Sequence, residues 1–169
     1  MMSVQRDELV SYCNRLLAVD SMPDFAPNGL QVEGADSIAH LVTAVTASQF
    51  VVDQTVALNA QALLVHHGYF WKGEAPQVVG VKKQRLRSLL NHDINLLAYH
   101  LPLDVHKTIG NNVGLAEALD LTVDGQLAAD GVEQLIWYGH LKQPLSSSDF
   151  AAQITRVLQR EPLHISTTK

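Results

Sequence analysis

The chain has 169 residues, of which 47% are hydrophobic and 17% charged, and a formal net charge of -5. That length suits one domain, or one and part of another, and the composition excludes disorder, collagen and a coiled coil. An acidic protein has no overall field to gather phosphates, so no nucleic-acid partner is expected.

Cys13 is the single cysteine, so no internal disulfide ties the fold to an oxidising compartment. No apolar run approaches the ~20 residues of a membrane helix, and the amino end lacks the basic-then-apolar pattern of a secretory signal. These features read as a cytoplasmic α/β domain with no membrane partner.

Residues 7–19 place Leu9, Val10, Cys13, Leu16 and Leu17 at helical spacing, with Ser3 or Asp7 as a cap. Residues 20–34 hold Pro23, Pro27, Gly29 and Gly34 and read as a long ordered loop, because Phe25, Leu30 and Val32 are too apolar for a free linker. Residues 41–47 are Val- and Thr-rich, as in a short strand. Ser48 then caps a helix over 49–59. The apolar run 62–65 predicts a strand covered on both faces. A helix over 82–91 turns Leu86, Leu89 and Leu90 inward, and 94–99 form a third strand. This alternation predicts a mostly parallel sheet with right-handed crossover helices.

Further on, Asn111 caps a helix carrying Leu115, Ala118 and Leu119, and residues 121–131 form a polar connection. Residues 132–138 predict a strand. A helix over 149–159 is capped by Ser147 or Ser148 and broken by Pro162, and 163–165 open one more strand. The expected division is an α/β lobe over 1–125 and the start of a second lobe over 126–169.

The candidate chemistry lies at strand ends, where open α/β sheets bind ligands. His66 and His67 follow the run 62–65, and Gly68 lets the backbone turn so that both rings face one point. His100 and Asp104 follow the strand 94–99, with His106 placed to orient the carboxylate. Imidazoles and a carboxylate together suit zinc, iron, manganese, cobalt or nickel, and the sequence does not choose among them. The competing structural account has these residues only knitting the sheet end together. Between the two clusters, Phe70 and Trp71 read as a plug under a loop, while Tyr69, Lys72 and Glu74 suit a substrate wall. Lys82, Lys83, Arg85 and Arg87 form a solvated helix face. His40, His92, His140 and His164 sit at element edges.

Three strings in order resemble one family. They are Ala26-Pro27-Asn28-Gly29-Leu30-Gln31-Val32-Glu33-Gly34, then His66-His67-Gly68-Tyr69-Phe70-Trp71-Lys72-Gly73-Glu74, then Tyr99-His100-Leu101-Pro102-Leu103-Asp104 followed by Gly110-Asn111-Asn112. Together they are similar to the Nif-three-like family, whose bacterial members are labelled GTP cyclohydrolase one type two homologues. The resemblance implies a two-lobed α/β fold, a ring-shaped hexamer and a dinuclear centre of divalent metal ions inside the ring. On this chain it assigns His66, His67 and Asp104 as metal ligands, with His100 beside the centre. Family members supply a further histidine and glutamate from a late segment. Here no carboxylate side chain follows Glu161, and His164 does not match that segment. The expectation is therefore a truncated second lobe, weak metal binding and poor catalysis.

The activity implied by the resemblance is metal-dependent hydrolysis of a small purine-like or cyclic amide or amidine substrate. Two ions would share a water of pKa near ~7. His100 would shuttle a proton or orient that water, and Lys72 or Tyr69 would contact substrate. The alternative is a non-catalytic metal binder, a carrier or a scaffold forming the same ring.

Overall fold

The computed structural model describes residues 2–165. Contacts divide the chain into two compact units, one up to Leu103 and one from Asp104 onward.

The first unit opens with β1 (Val4–Gln5) and α1 (Arg6–Leu16), then a 3-10 turn at Val19–Ser21, β2 (Gly29–Val32) and β3 (Ser37–Ile38). Next come β4 (Leu41–Thr46), α2 (Gln49–Ala57), β5 (Ala62–His67), α3 (Gly80–Asn91), β6 (Asn95–Ala98) and the start of α4 (Leu101–Asp104). The main sheet has the order β2-β6-β5-β4. β4, β5 and β6 are parallel, with Leu63 beside Val42 on one side and Leu96 on the other. The predicted mostly parallel sheet is thus present, and its crossovers are α2 and α3.

Alternation along the strands divides the core by face. Leu63, Val65, Leu96 and Ala98 join Val52, Leu86 and Leu89 from α2 and α3. Ala62, Leu97 and Tyr99 join Leu17, with Leu9, Val10 and Cys13 of α1 packed against them. With both faces covered, β6 is buried at every position. That explains why its sequence is continuously apolar apart from Asn95.

Several local expectations change. Within the expected loop 20–34, residues Gly29–Val32 form β2, which pairs antiparallel with β6. Four residues between turn formers carry little periodic signal, and the strand exists because β6 offers an edge. Helix α1 starts at Arg6 after Gln5, with no side-chain cap, so neither Ser3 nor Asp7 serves. Ser48 caps α2 as expected, its hydroxyl accepting from the Val51 N–H at 3.3 Å. In α3, Leu86 and Leu89 are buried but Leu90 is 57% exposed, since it falls off the inward stripe.

The second unit contains α5 (Asn111–Ala118), β7 (Leu121–Ala129), β8 (Val132–Leu141) and α6 (Ser147–Leu158). The segment read as a polar connection is β7, an antiparallel partner of β8. Asp124 and Gly125 hide its pattern, and pairing with β8 restores it. The boundary expected after residue 125 falls inside this strand. The N-cap of α5 is Gly110, not Asn111, and the buried residue of that helix is Ala116, with Leu115 exposed. Ser146 caps α6, accepting from the Asp149 N–H at 3.1 Å. Residues 163–165 carry no regular structure, and residues 166–169 lie outside the described ones. Among the described residues no helix is long and apolar enough to cross a membrane.

Candidate metal centre

β5 and β6 end side by side. Val65 pairs with Ala98, and the Tyr99 N–H donates to the Val65 carbonyl at 3.0 Å. β5 then runs on through His66 and His67, held on its other side by β4, where Thr46 pairs with His67. The histidines therefore close the strand; the loop expected after residue 65 starts after them. Strict alternation would separate the two rings, yet their centroids are 4.5 Å apart. His100 enters from the segment after β6, with its ring 5.0 Å from that of His66 and 5.7 Å from that of His67. One ligating atom from each of His66, His67 and His100 lies within 4.8 Å of the others.

Hydrogen bonds select the nitrogens. His66 Nδ1 is 2.9 Å from the Tyr99 carbonyl oxygen. A carbonyl only accepts, so Nδ1 carries a proton, and in the neutral ring the lone pair belongs to Nε2. His67 Nδ1 lies 3.3 Å from the Thr46 hydroxyl. His100 Nδ1 is 2.8 Å from Asp24 Oδ1, and its backbone N–H donates to Asn28 Oδ1 at 2.7 Å.

Asp24 is heavily bonded, with a side chain only 3% exposed. Besides His100, it accepts from Asn28 Nδ2 at 2.8 Å, from the Leu101 N–H at 2.9 Å and from the Phe25 N–H. Burial pushes its carboxyl up, but the hydrogen bonds from Asn28, His100, Leu101 and Phe25 together outweigh that and hold it below the ordinary aspartate value.

Trp71, read from sequence as a plug, stands edge-on to His100 with ring centroids 4.9 Å apart. It is half-buried among the histidines. Tyr69 is buried and its hydroxyl donates to the Ala47 carbonyl at 2.9 Å; burial pushes that hydroxyl up to about 12. Lys72 is exposed, and its backbone N–H donates to the Phe25 carbonyl at 2.6 Å. Glu74 pairs with Lys82 at 3.4 Å, and the Lys82 ammonium lies 5.1 Å from the centre of the Phe70 ring. Asp104 ends α4, four residues after His100, and its Oδ1 accepts from Asn111 Nδ2 at 2.7 Å. His106 Nδ1 accepts from the backbone N–H groups of Thr108 and Ile109 at 3.3 Å. His40, His92 and His140 bond to Leu58, Ser88 and Asp124 respectively.

Gly68 is required for space and not for a left-handed turn, since the positive φ angles of this loop fall on Phe70 at 65° and Gly73 at 85°. A Cβ on Gly68 would lie 2.7 Å from Ala98 Cβ and closer still to Gln31 Oε1, which accepts the Tyr69 N–H at 2.7 Å. Gly68→Ala is therefore expected to lower stability by about 2 kcal/mol, through overpacking and loss of the Gln31 bond. A shift in the urea midpoint measures it, and an unchanged midpoint would show that Gln31 and Ala98 yield freely.

Neither Asp24 nor Trp71 stands out in the sequence as part of a site, and Asn28 stands out only within a string. A loop too apolar to be a linker, with an aspartate and an asparagine four residues apart, was the available signal. Nothing in the sequence joins Asp24 to a histidine 76 positions away.

Residues 4–169 match the family described as Duf34/NIF3 (NGG1p interacting factor 3). A Pseudomonas aeruginosa protein named GTP cyclohydrolase 1 type 2 homolog is 48% identical over 162 residues, which are 96% of this chain and 64% of that protein. Among solved structures, protein ybgI, described as of unknown function, superposes with a TM-score of 0.90 at 46% identity, covering 95% of this chain and 63% of that one. A Thermus thermophilus protein gives a TM-score of 0.79 at 37% identity, covering 95% and 64%. The chain thus spans a little under two thirds of the length of these relatives. With the matched fold and sequence both extending over nearly all its residues, it belongs to the Duf34/NIF3 family.

Proposed function

We propose that the three-histidine cluster is a metal centre of a metal-dependent hydrolase acting on a small purine-like or cyclic amide or amidine substrate. The observation that carries this reading is the convergence of His66, His67 and His100 within 4.8 Å at the ends of neighbouring strands. Two ligands at ~2.0–2.1 Å from a tetrahedral ion stand about 3.4 Å apart, so side-chain rotation can close the set on one cation. Neutral imidazoles suit zinc, iron, manganese, cobalt or nickel. A divalent cation held there supplies Lewis-acid polarisation of an electrophilic carbon.

The chain's own residues do the rest. The Tyr99 carbonyl and Asp24 hold the rings of His66 and His100. Tyr69 ties its loop to Ala47, which sets Trp71 against His100. A depression of about 290 Å³ is lined by Asp24, Phe25, Ala26, Pro27, Phe70 and Lys72. Its two phenyl rings suit a planar heterocycle, and the Lys72 ammonium suits an anionic group on it. The substrate class rests on the relatives' name. Asp104 as a further ligand, a second ion, a ring-shaped hexamer and a cytoplasmic location rest on the family resemblance.

A metal carrier or scaffold is the second reading, favoured by the shallowness of that depression, where Phe25 is 44% and Phe70 37% exposed. Both readings are tested by titrating the purified chain with Co²⁺ and assaying GTP and cyclic amides for hydrolysis. The wild-type chain should bind Co²⁺, and His67→Ala should weaken binding by more than about 100-fold, since a ligand matters more than the groups behind it. Asp104→Ala should lower the metal content. Reversible binding without hydrolysis would favour the carrier, and equal background binding by wild type and His67→Ala would end both.

A further inference from the structure

We infer that Asp24, braced by Asn28, is the positioning residue for His100: it fixes the ring as the Nδ1–H tautomer and leaves Nε2 as the atom offered to a cation shared with His66 and His67. The inference rests on the metal-centre reading and adds to it a residue from outside the histidine strings.

Asp24 Oδ1 already accepts from the Phe25 N–H, and Oδ2 accepts from Asn28 Nδ2 and the Leu101 N–H. All three are obligate donors, so the carboxylate acts throughout as an acceptor. His100 Nδ1, at 2.8 Å from Oδ1, then donates, and in the neutral ring Nε2 holds the lone pair. His66 reaches the same tautomer through the Tyr99 carbonyl, so two of the three rings present Nε2 by the same logic.

Asn28 makes the arrangement rigid. Its Nδ2 bonds Asp24 and its Oδ1 takes the His100 backbone N–H at 2.7 Å, so one amide sets both the carboxylate and the backbone of the residue it orients. The carboxylate is 3% exposed, which leaves little room for water to compete. Groups that orient a ligating histidine in this way typically change metal affinity by ~10–100-fold.

The test has two readouts. In the metal-free wild-type chain, long-range ¹H–¹⁵N NMR at pH 8 should show His100 as the Nδ1–H tautomer. In Co²⁺ titrations, Asp24→Asn should bind about 10–100-fold more weakly than wild type. Val10→Ala, which only thins the core beside α1 and serves as a stability control, should bind as wild type does. An Nε2–H tautomer in the wild type overturns the inference even if Asp24→Asn fails to fold. Unchanged affinity in a folded Asp24→Asn variant overturns it while leaving the metal centre standing. If the wild-type chain binds no Co²⁺, the metal-centre reading falls and takes this inference with it.

Discussion

Asn95→Ala is expected to lower the unfolding free energy by about 3 kcal/mol, because buried groups left without partners cost about 1–3 kcal/mol each. Asn95 opens β6 and is fully buried. Its Oδ1 accepts the Gly34 N–H at 2.8 Å, while Nδ2 donates to the carbonyls of Ala35 at 2.8 Å and Gln61 at 3.0 Å. One side chain thus fastens the segment after β2 and the residue before β5 to the start of β6. Alanine removes all three bonds, and only the Gln61 carbonyl keeps another donor, the Asn95 backbone N–H at 2.9 Å. For a chain of this size the loss corresponds to a fall in Tm of roughly 6–12 °C, readable by calorimetry. A fall below about 2 °C would mean that water takes the place of the amide.

Gly34→Ala should act on the same seam and at least as strongly, by about 3 kcal/mol or more, through overpacking against backbone that cannot swing aside. A Cβ at this position would lie 2.5 Å from the Asp93 carbonyl carbon and 2.6 Å from that of Ile94. Relief requires moving the entry to β6, which also carries Asn95 and the Ala35 N–H bond to the Asp93 carbonyl at 2.8 Å. The two substitutions share partners, so their effects should not add. A double variant no worse than Gly34→Ala alone would confirm one seam, whereas full additivity in urea denaturation would show two independent sites. Neither residue touches the histidines, so each variant that remains folded should keep the Co²⁺ affinity of the wild type.

How much of this was legible in advance depended on the range of the interaction. The strands at 62–65 and 94–99 were readable because burial on both faces forces continuous apolar runs, the edge strand at 41–47 because it is rich in Val and Thr, and Ser48 because a capping hydroxyl acts three residues away. β2 and β7 were not. Each is made a strand by a partner, β6 in one case and β8 in the other, and its own pattern is interrupted by Gly or Asp. His66 and His67 were visible as a pair at a strand end, and His100 as a neighbour after the next strand. Asp24, Asn28 and Trp71 were not visible as parts of the site. A carboxylate in a turn-rich loop carries no sign of the histidine it meets, and an aromatic beside two others reads as core.

By itself, the sequence determined the layered α/β plan, the parallel order of the central strands and the presence of imidazoles at two strand tips. All of these follow from short-range periodicity and from the rule that a doubly covered strand must be apolar. Only the tertiary structure decided which acceptors meet Nδ1 of His66 and Nδ1 of His100. Those choices depend on a carbonyl and a buried aspartate brought within 3 Å by chain segments that lie 33 and 76 residues from the rings they bond.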